Sequence, residues 1–266
     1  MTRLAADSSH YLFSLVDRGT GKGTDHGFVL PSVTSIISDV LGKPASAMAW
    51  WGYRLATQGV NDLIARGVDV ANQETDVEAI LRSQGIDPNQ NLTRAGSRGT
   101  KAHYILECLA EGRKEEADEL VVKEVEAGGA LYGRAVWDWW ESRNAWRDQE
   151  VLSERPVWSL RNGYVGTLDL AATKGDSFVV MDLKTHKPAS GFTKPGGGPA
   201  YLADLVQIRA YRSAFEEMGL GDTCGSRVII ARENGTWLED DREVPNELWL
   251  SILEAYRLKQ AFEDAP

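Results

Sequence analysis

The chain has 266 residues, 42% hydrophobic and 26% charged, with a net charge of −10. That composition excludes a disordered chain and allows one large domain, or one domain with a helical extension. The acidic balance argues against a protein that coats nucleic acid, though not against a local basic groove.

Residues 1–95 read as mainly helical after a short start. Pro31-Ser-Val-Thr-Ser-Ile-Ile37 has helix-entry chemistry, with Ser32 or Thr34 available to cap. Ala45–Gly59 and Asp76–Gly85 are predicted as short helices that end at glycine. Thr100–Ala110 is predicted helical, with Ala102, Ile105, Leu106 and Leu109 on one apolar face, and Gly112 stops it. The acidic blocks at 111–126 and 239–247 are expected to be solvated surface. Gly129–Gln149 is predicted as a longer helix carrying Trp137, Trp139, Trp140 and Trp146.

The period then changes. Glu150–Leu160, Tyr164–Thr173 and Ser177–Lys184 are predicted strands, with turns at Gly163 and Gly175. Lys194–Pro199 is predicted as a loop, Tyr201–Met218 as a helix, Arg227–Arg232 as a strand and Pro245–Phe262 as a helix. This mixed order indicates an α/β or α+β layer fold.

Two of the strands each carry an acid in an apolar run: Gly166-Thr-Leu-Asp169 and Val179-Val-Met-Asp182-Leu-Lys184. A buried carboxylate is costly unless it is paired or bound to metal. Asp169 and Asp182 are expected to approach across a hairpin, with Lys184 on the same strand face as Asp182. Paired carboxylates suit Mg²⁺ or Mn²⁺, with the Leu183 carbonyl as a further ligand and Lys184 orienting or deprotonating a bound water. A plain salt bridge between Lys184 and one aspartate is the bland alternative.

More of the pattern lies on either side. Gly99-Thr-x-x-His103 precedes the strands and Gln207-x-x-x-Tyr211 follows them. With Gly166-x-x-Asp169 and Asp182-x-Lys184-Thr185, this order resembles the RecB-type branch of the PD-(D/E)XK nucleases, over roughly residues 96–232. The resemblance implies a restriction-endonuclease-like core at 96–266, a mixed central sheet flanked by helices, with 1–95 as a helical region packed on it. It implies His103, Asp169 and Asp182 as metal ligands and Lys184 as the catalytic lysine. Gln207 and Tyr211 would contact DNA or support that lysine. From the residues themselves, Glu154 and Glu107 are candidates for outer support, and Arg94, Arg98 and Lys101 with Lys184, Lys187 and Lys194 for a local basic rim. Leu30–Ile37 followed by Trp50-Trp51 is similar to the start of the mitochondrial genome maintenance and phage-type exonucleases. In that reading Ser32 and Thr34 lie near a substrate phosphate.

The resemblance thus implies a metal-dependent DNA exonuclease rather than an endonuclease, with linear or single-stranded ends favoured as substrate. The setting would be recombination, repair or phage DNA processing, with a recombination or annealing protein as a possible partner. Cys108 and Cys224 are too few for the iron–sulfur cluster of some relatives and form no CxxC pattern. No GxxxxGK[ST] loop occurs, so ATP use is not expected. With no membrane-length apolar run and no secretory signal, no membrane partner is expected, and cytoplasm (a host's, for a phage protein) is the expected compartment. The rival readings are a non-catalytic DNA-binding or assembly module on a nuclease fold, and a metal-dependent hydrolase of small phosphates.

Overall fold

The computed structural model describes residues 2–6, 10–16, 23–42, 57, 59–70, 76, 79–80, 88–143, 149–186 and 199–264; for 2–29 and 88–98 it describes the backbone alone. The chain forms two compact units, Met1–Leu41 with Lys101–Pro266, and Gly42–Thr100. In the smaller unit residues 59–65 are helical and include the buried Leu63. Asp76 accepts the Ala79 N–H at 2.9 Å, capping a following turn.

The larger unit opens with three antiparallel strands in the order β1 (Thr2–Ala6), β2 (His10–Val16), β3 (Gly23–Pro31). This corrects the helical expectation for the first 31 residues. Segments such as His10-Tyr-Leu-Phe-Ser-Leu-Val16 are short and rich in aromatic and branched residues, which pair better as strands than they nucleate a helix. The expected boundary at 95/96 is also replaced, because residues 1–41 belong with the larger unit. The helix α1 (Val33–Leu41) follows directly. The expected helix at 45–59 and most of that at 76–85 lie outside the described residues.

A five-stranded mixed sheet forms the centre, in the order β4 (Val151–Ser159), β5 (Tyr164–Lys174), β6 (Ser177–His186), β7 (Thr223–Arg232), β8 (Trp237–Asp240). The meander β4–β5–β6 is antiparallel as expected, its turns held by Gly163 (φ 63°) and Gly175 (φ 66°). β7 runs parallel to β6, reached through a helix at Leu202–Glu217, and β8 returns antiparallel. Such a parallel step needs a crossover connection.

Helices cover both faces. On one side Val33 and Ile36 of α1, Val206, Ile208 and Phe215 of α5 (Leu202–Glu217), and Trp249 and Leu253 of α6 (Asn246–Glu263) share a core with Leu168, Val180 and Ile230. On the other, Leu106 and Leu109 of α2 (Pro88–Ala110), Val121 of α3 (Lys114–Glu126) and Trp139 of α4 (Tyr132–Glu141) pack on Leu170, Met181 and Ile229. The fold is therefore α/β, a mixed sheet between helical layers. Among the described residues no helix is long and apolar enough to cross a membrane. α4 is shorter than the helix expected over 129–149, and residues 144–148 lie outside the described residues.

Candidate active site

The site forms where the central sheet comes apart. The β5–β6 ladder begins at Leu170↔Met181, one step short of Asp169 and Asp182. Beyond that step the Asp169 side chain replaces a backbone acceptor, its Oδ2 taking the Leu183 N–H at 2.6 Å. Side-chain alternation also slips here. Leu168 belongs to the core under α5, whereas Leu170, two residues on, belongs to the opposite core. Strict alternation would put both on one face.

The partner strand shows the matching irregularity. The pairs Ser153↔Leu170 and Arg155↔Leu168 place Glu154 opposite Asp169. Glu154 has φ 45°, the one positive φ at a non-glycine among the described residues. Such backbone is strained for a residue with a Cβ, and it re-aims the side chain. A helix on each face of the sheet can consequently reach the same point.

From the α2 side, His103 Nδ1 lies 3.2 Å from Asp169 Oδ1 and 4.0 Å from Glu154 Oε1. Ligand atoms of His103, Glu154 and Asp169 all fall within 4.8 Å of one another, a group able to hold a metal ion. From the α5 side, Gln207 Nε2 donates to Asp182 Oδ1 at 3.0 Å and contacts the Tyr211 hydroxyl at 3.0 Å. Lys184 Nζ sits 2.6 Å from Asp182 Oδ2. That buried oxygen is thus held by the Lys184 ammonium, although the contact falls outside ideal hydrogen-bonding angles. The imidazole and two carboxylates of His103, Glu154 and Asp169 are a donor set that fits a hard or borderline divalent ion.

Titration follows from this crowding. Burial, then the Asp169 charge, pushes the Glu154 carboxyl up to about 7. Burial, with Asp169 adding repulsion, also raises Asp182, against the attraction of Lys184. Asp169 is lowered: burial works against its charge, but His103, Lys184 and the Leu183 N–H together outweigh it. His103 is raised because its attraction to Asp169 and Asp182 exceeds the cost of burial. Lys184 is raised for the same reason, through Asp182 and Asp169. The raised values of Glu154 and Asp182 thus reflect crowded negative charge of the kind a bound cation would neutralise.

The structure brings together His103, Asp169, Asp182, Lys184, Gln207 and Tyr211, and adds Glu154 to the innermost group. Sequence reasoning had given Glu154 only an outer role. Counting back from the Gly163 turn would have set it opposite Asp169. Leu183 lends its N–H to Asp169. Glu107, one turn after His103, adds to the repulsion on Glu154. Ser32 acts as the N-cap of α1, its Oγ accepting the Ser35 N–H at 3.1 Å and contacting the Thr34 hydroxyl at 3.0 Å. It also bridges to Val165, next to Gly166. Thr34 is exposed, as is Lys101. The side chains of Arg94 and Arg98, and residues Trp50, Trp51, Trp146, Lys187 and Lys194, lie outside the described residues. Trp139 is a core residue, its Nε1 donating to Glu239 at 2.7 Å.

No family model and no curated protein matches this chain. Among solved structures, one described as "Crystal structure of SSO0001" is similar at 11% identity, over 60% of this chain and 71% of that one, with a TM-score of 0.31. So slight a likeness carries no argument here.

Proposed function

We propose that the chain is a divalent-metal-dependent deoxyribonuclease on a PD-(D/E)XK-type core, acting on DNA ends in recombination, repair or phage DNA processing. The observation that carries the reading is the convergence at the split in the sheet. His103, Glu154 and Asp169 meet there, with Asp182, Lys184 and Gln207 beside them. A salt bridge alone would need neither the strained Glu154 nor the histidine brought in from the other layer.

His103, Glu154 and Asp169 would hold Mg²⁺ or Mn²⁺, with the Asp182 carboxylate beside them as a further donor. When bound, such an ion polarises a phosphate and makes hydroxide available near neutral pH. Lys184 stays protonated, which favours orienting the attacking water and offsetting phosphate charge over taking a proton. Gln207 fixes the Asp182 carboxylate, and Tyr211 fixes Gln207.

The test uses end-labelled linear DNA and circular DNA with Mg²⁺, Mn²⁺ or EDTA. Linear DNA should be degraded with metal and not with EDTA. Asp182→Ala and Lys184→Ala should each lose at least about a hundredfold in rate. Cleavage by both variants at the wild-type rate would sink the reading. Nicking of circles would remove the preference for ends. DNA binding without cleavage under every metal would replace catalysis by a non-catalytic DNA-binding role.

A further inference from the structure

Beyond the catalytic cluster, the same strand continues to a second constellation. Alternation along β6 puts Asp182, Lys184 and His186 on one face, each about 6.6 Å from the next. His186 Nε2 lies 3.8 Å from Asp204 Oδ2, and the His186 ring meets the Tyr201 ring edge-on, centroids 5.1 Å apart at 64°. Tyr201 is the N-cap of α5, tied down by its N–H donating to Asp204 Oδ2 at 2.9 Å. Tyr201 is 52% exposed and Leu202 51%. The row therefore runs from a buried carboxylate through the lysine to a half-exposed aromatic. It uses the same strand and helix that supply Lys184 and Gln207. Asp204 also acts electrostatically on Lys184, so the two constellations adjoin.

The geometry points to Tyr201, held in place by His186, as a stacking subsite for the base of a nucleotide next to the cleaved phosphate. This inference rests on the nuclease reading. An exposed ring offers a π-face that accepts any base, which suits an enzyme that must process unpaired ends regardless of sequence. The ring is anchored at its backbone and along one edge, so little conformational freedom is lost when a base stacks on it. Asp204 spends its charge on the Tyr201 N–H and on His186, which limits its repulsion of a phosphate. Inside a duplex each base is covered on both faces by its neighbours, so the occupant is an unpaired base at a single-stranded end.

The test measures equilibrium binding of a short single-stranded oligonucleotide without divalent metal, and KM and kcat with metal. Tyr201→Ala should weaken binding and raise KM by about tenfold to a hundredfold, with kcat falling far less. Tyr201→Phe and Tyr201→Trp should restore binding, and His186→Ala should give a smaller loss of the same kind. On an oligonucleotide of abasic residues, Tyr201→Ala should cost nothing further, because no base remains to stack. An equal loss on abasic DNA, failure of Phe and Trp to rescue, or wild-type KM in Tyr201→Ala would overturn the subsite. If Asp182→Ala abolishes cleavage while Tyr201→Ala matches wild type, the subsite alone falls. If the wild type neither binds nor cleaves DNA, both readings fall.

Discussion

Gly166 shows how one residue sets the geometry of the site. A Cβ added there would lie 2.2 Å from Cε1 of the Tyr211 ring, well inside van der Waals contact. Tyr211 is buried, so it has little room to retreat. Displacing it breaks the link to Gln207, and Gln207 is what fixes Asp182. Gly166→Ala should therefore lower kcat by about tenfold to a hundredfold, the worth of a hydrogen bond to a charged group, with the fold retained by circular dichroism. Tyr211→Ala in the same background relieves the clash without restoring the hydrogen bond, so activity should stay low. Wild-type kcat in Gly166→Ala would show that the relay does not matter. The Gly-x-x-Asp spacing was legible in the sequence as a motif; its physical reason, a ring from another element lying on the glycine, was not.

Elements in this molecule are finished by groups from elsewhere in the chain. The N-terminus of α4 has no side-chain cap of its own. Instead Glu124 of α3 accepts the N–H groups of Gly133 and Arg134, each at 3.0 Å. A carboxylate at a helix N-terminus satisfies orphan donors and opposes the dipole. Glu124→Ala should reduce stability by about 1–2 kcal/mol, read from urea unfolding, and an unchanged midpoint would refute the cap. The meander β4–β5–β6 was readable because Gly163 and Gly175 punctuate alternating runs. β8 was not, being a four-residue strand that is ordered only by pairing with β7. The strands β1 and β2 were missed because neither alternates cleanly; their partners decide their state.

For the whole molecule, the titration of the site couples metal, pH and stability. Glu154 and Asp182 release protons at higher pH when folded than their ordinary values allow. The unfolded chain gives up those protons from about pH 4. Their contribution thus favours the folded state at low pH and is lost as pH rises through about 7. His103, also raised, adds in the same direction. Asp169 is lowered, so its contribution changes only below about pH 4. Without metal, Tm should fall between about pH 5 and 8, and Mn²⁺ should restore it most strongly at the upper end, where the ligands are deprotonated. Glu154→Gln should flatten both effects. A Tm that rises over this range without metal, and does not respond to Mn²⁺, would contradict the assignment of these carboxylates to a cation site.

By itself the sequence determined which chemical groups are present, their order, and the local frame of a hairpin, a helix before it and a helix after it. Those follow from short-range periodicity and from turn residues. Only the tertiary structure decided that His103 and Gln207, from opposite faces of the sheet, reach neighbouring carboxylates, Asp169 and Asp182. That depends on the ladder ending at Leu170↔Met181 and on the slip in alternation at Asp169. The tertiary structure also promoted Glu154, because a positive φ inside a strand leaves no mark in local composition. Periodicity reports which face a residue prefers, whereas the site exists because the faces change places there.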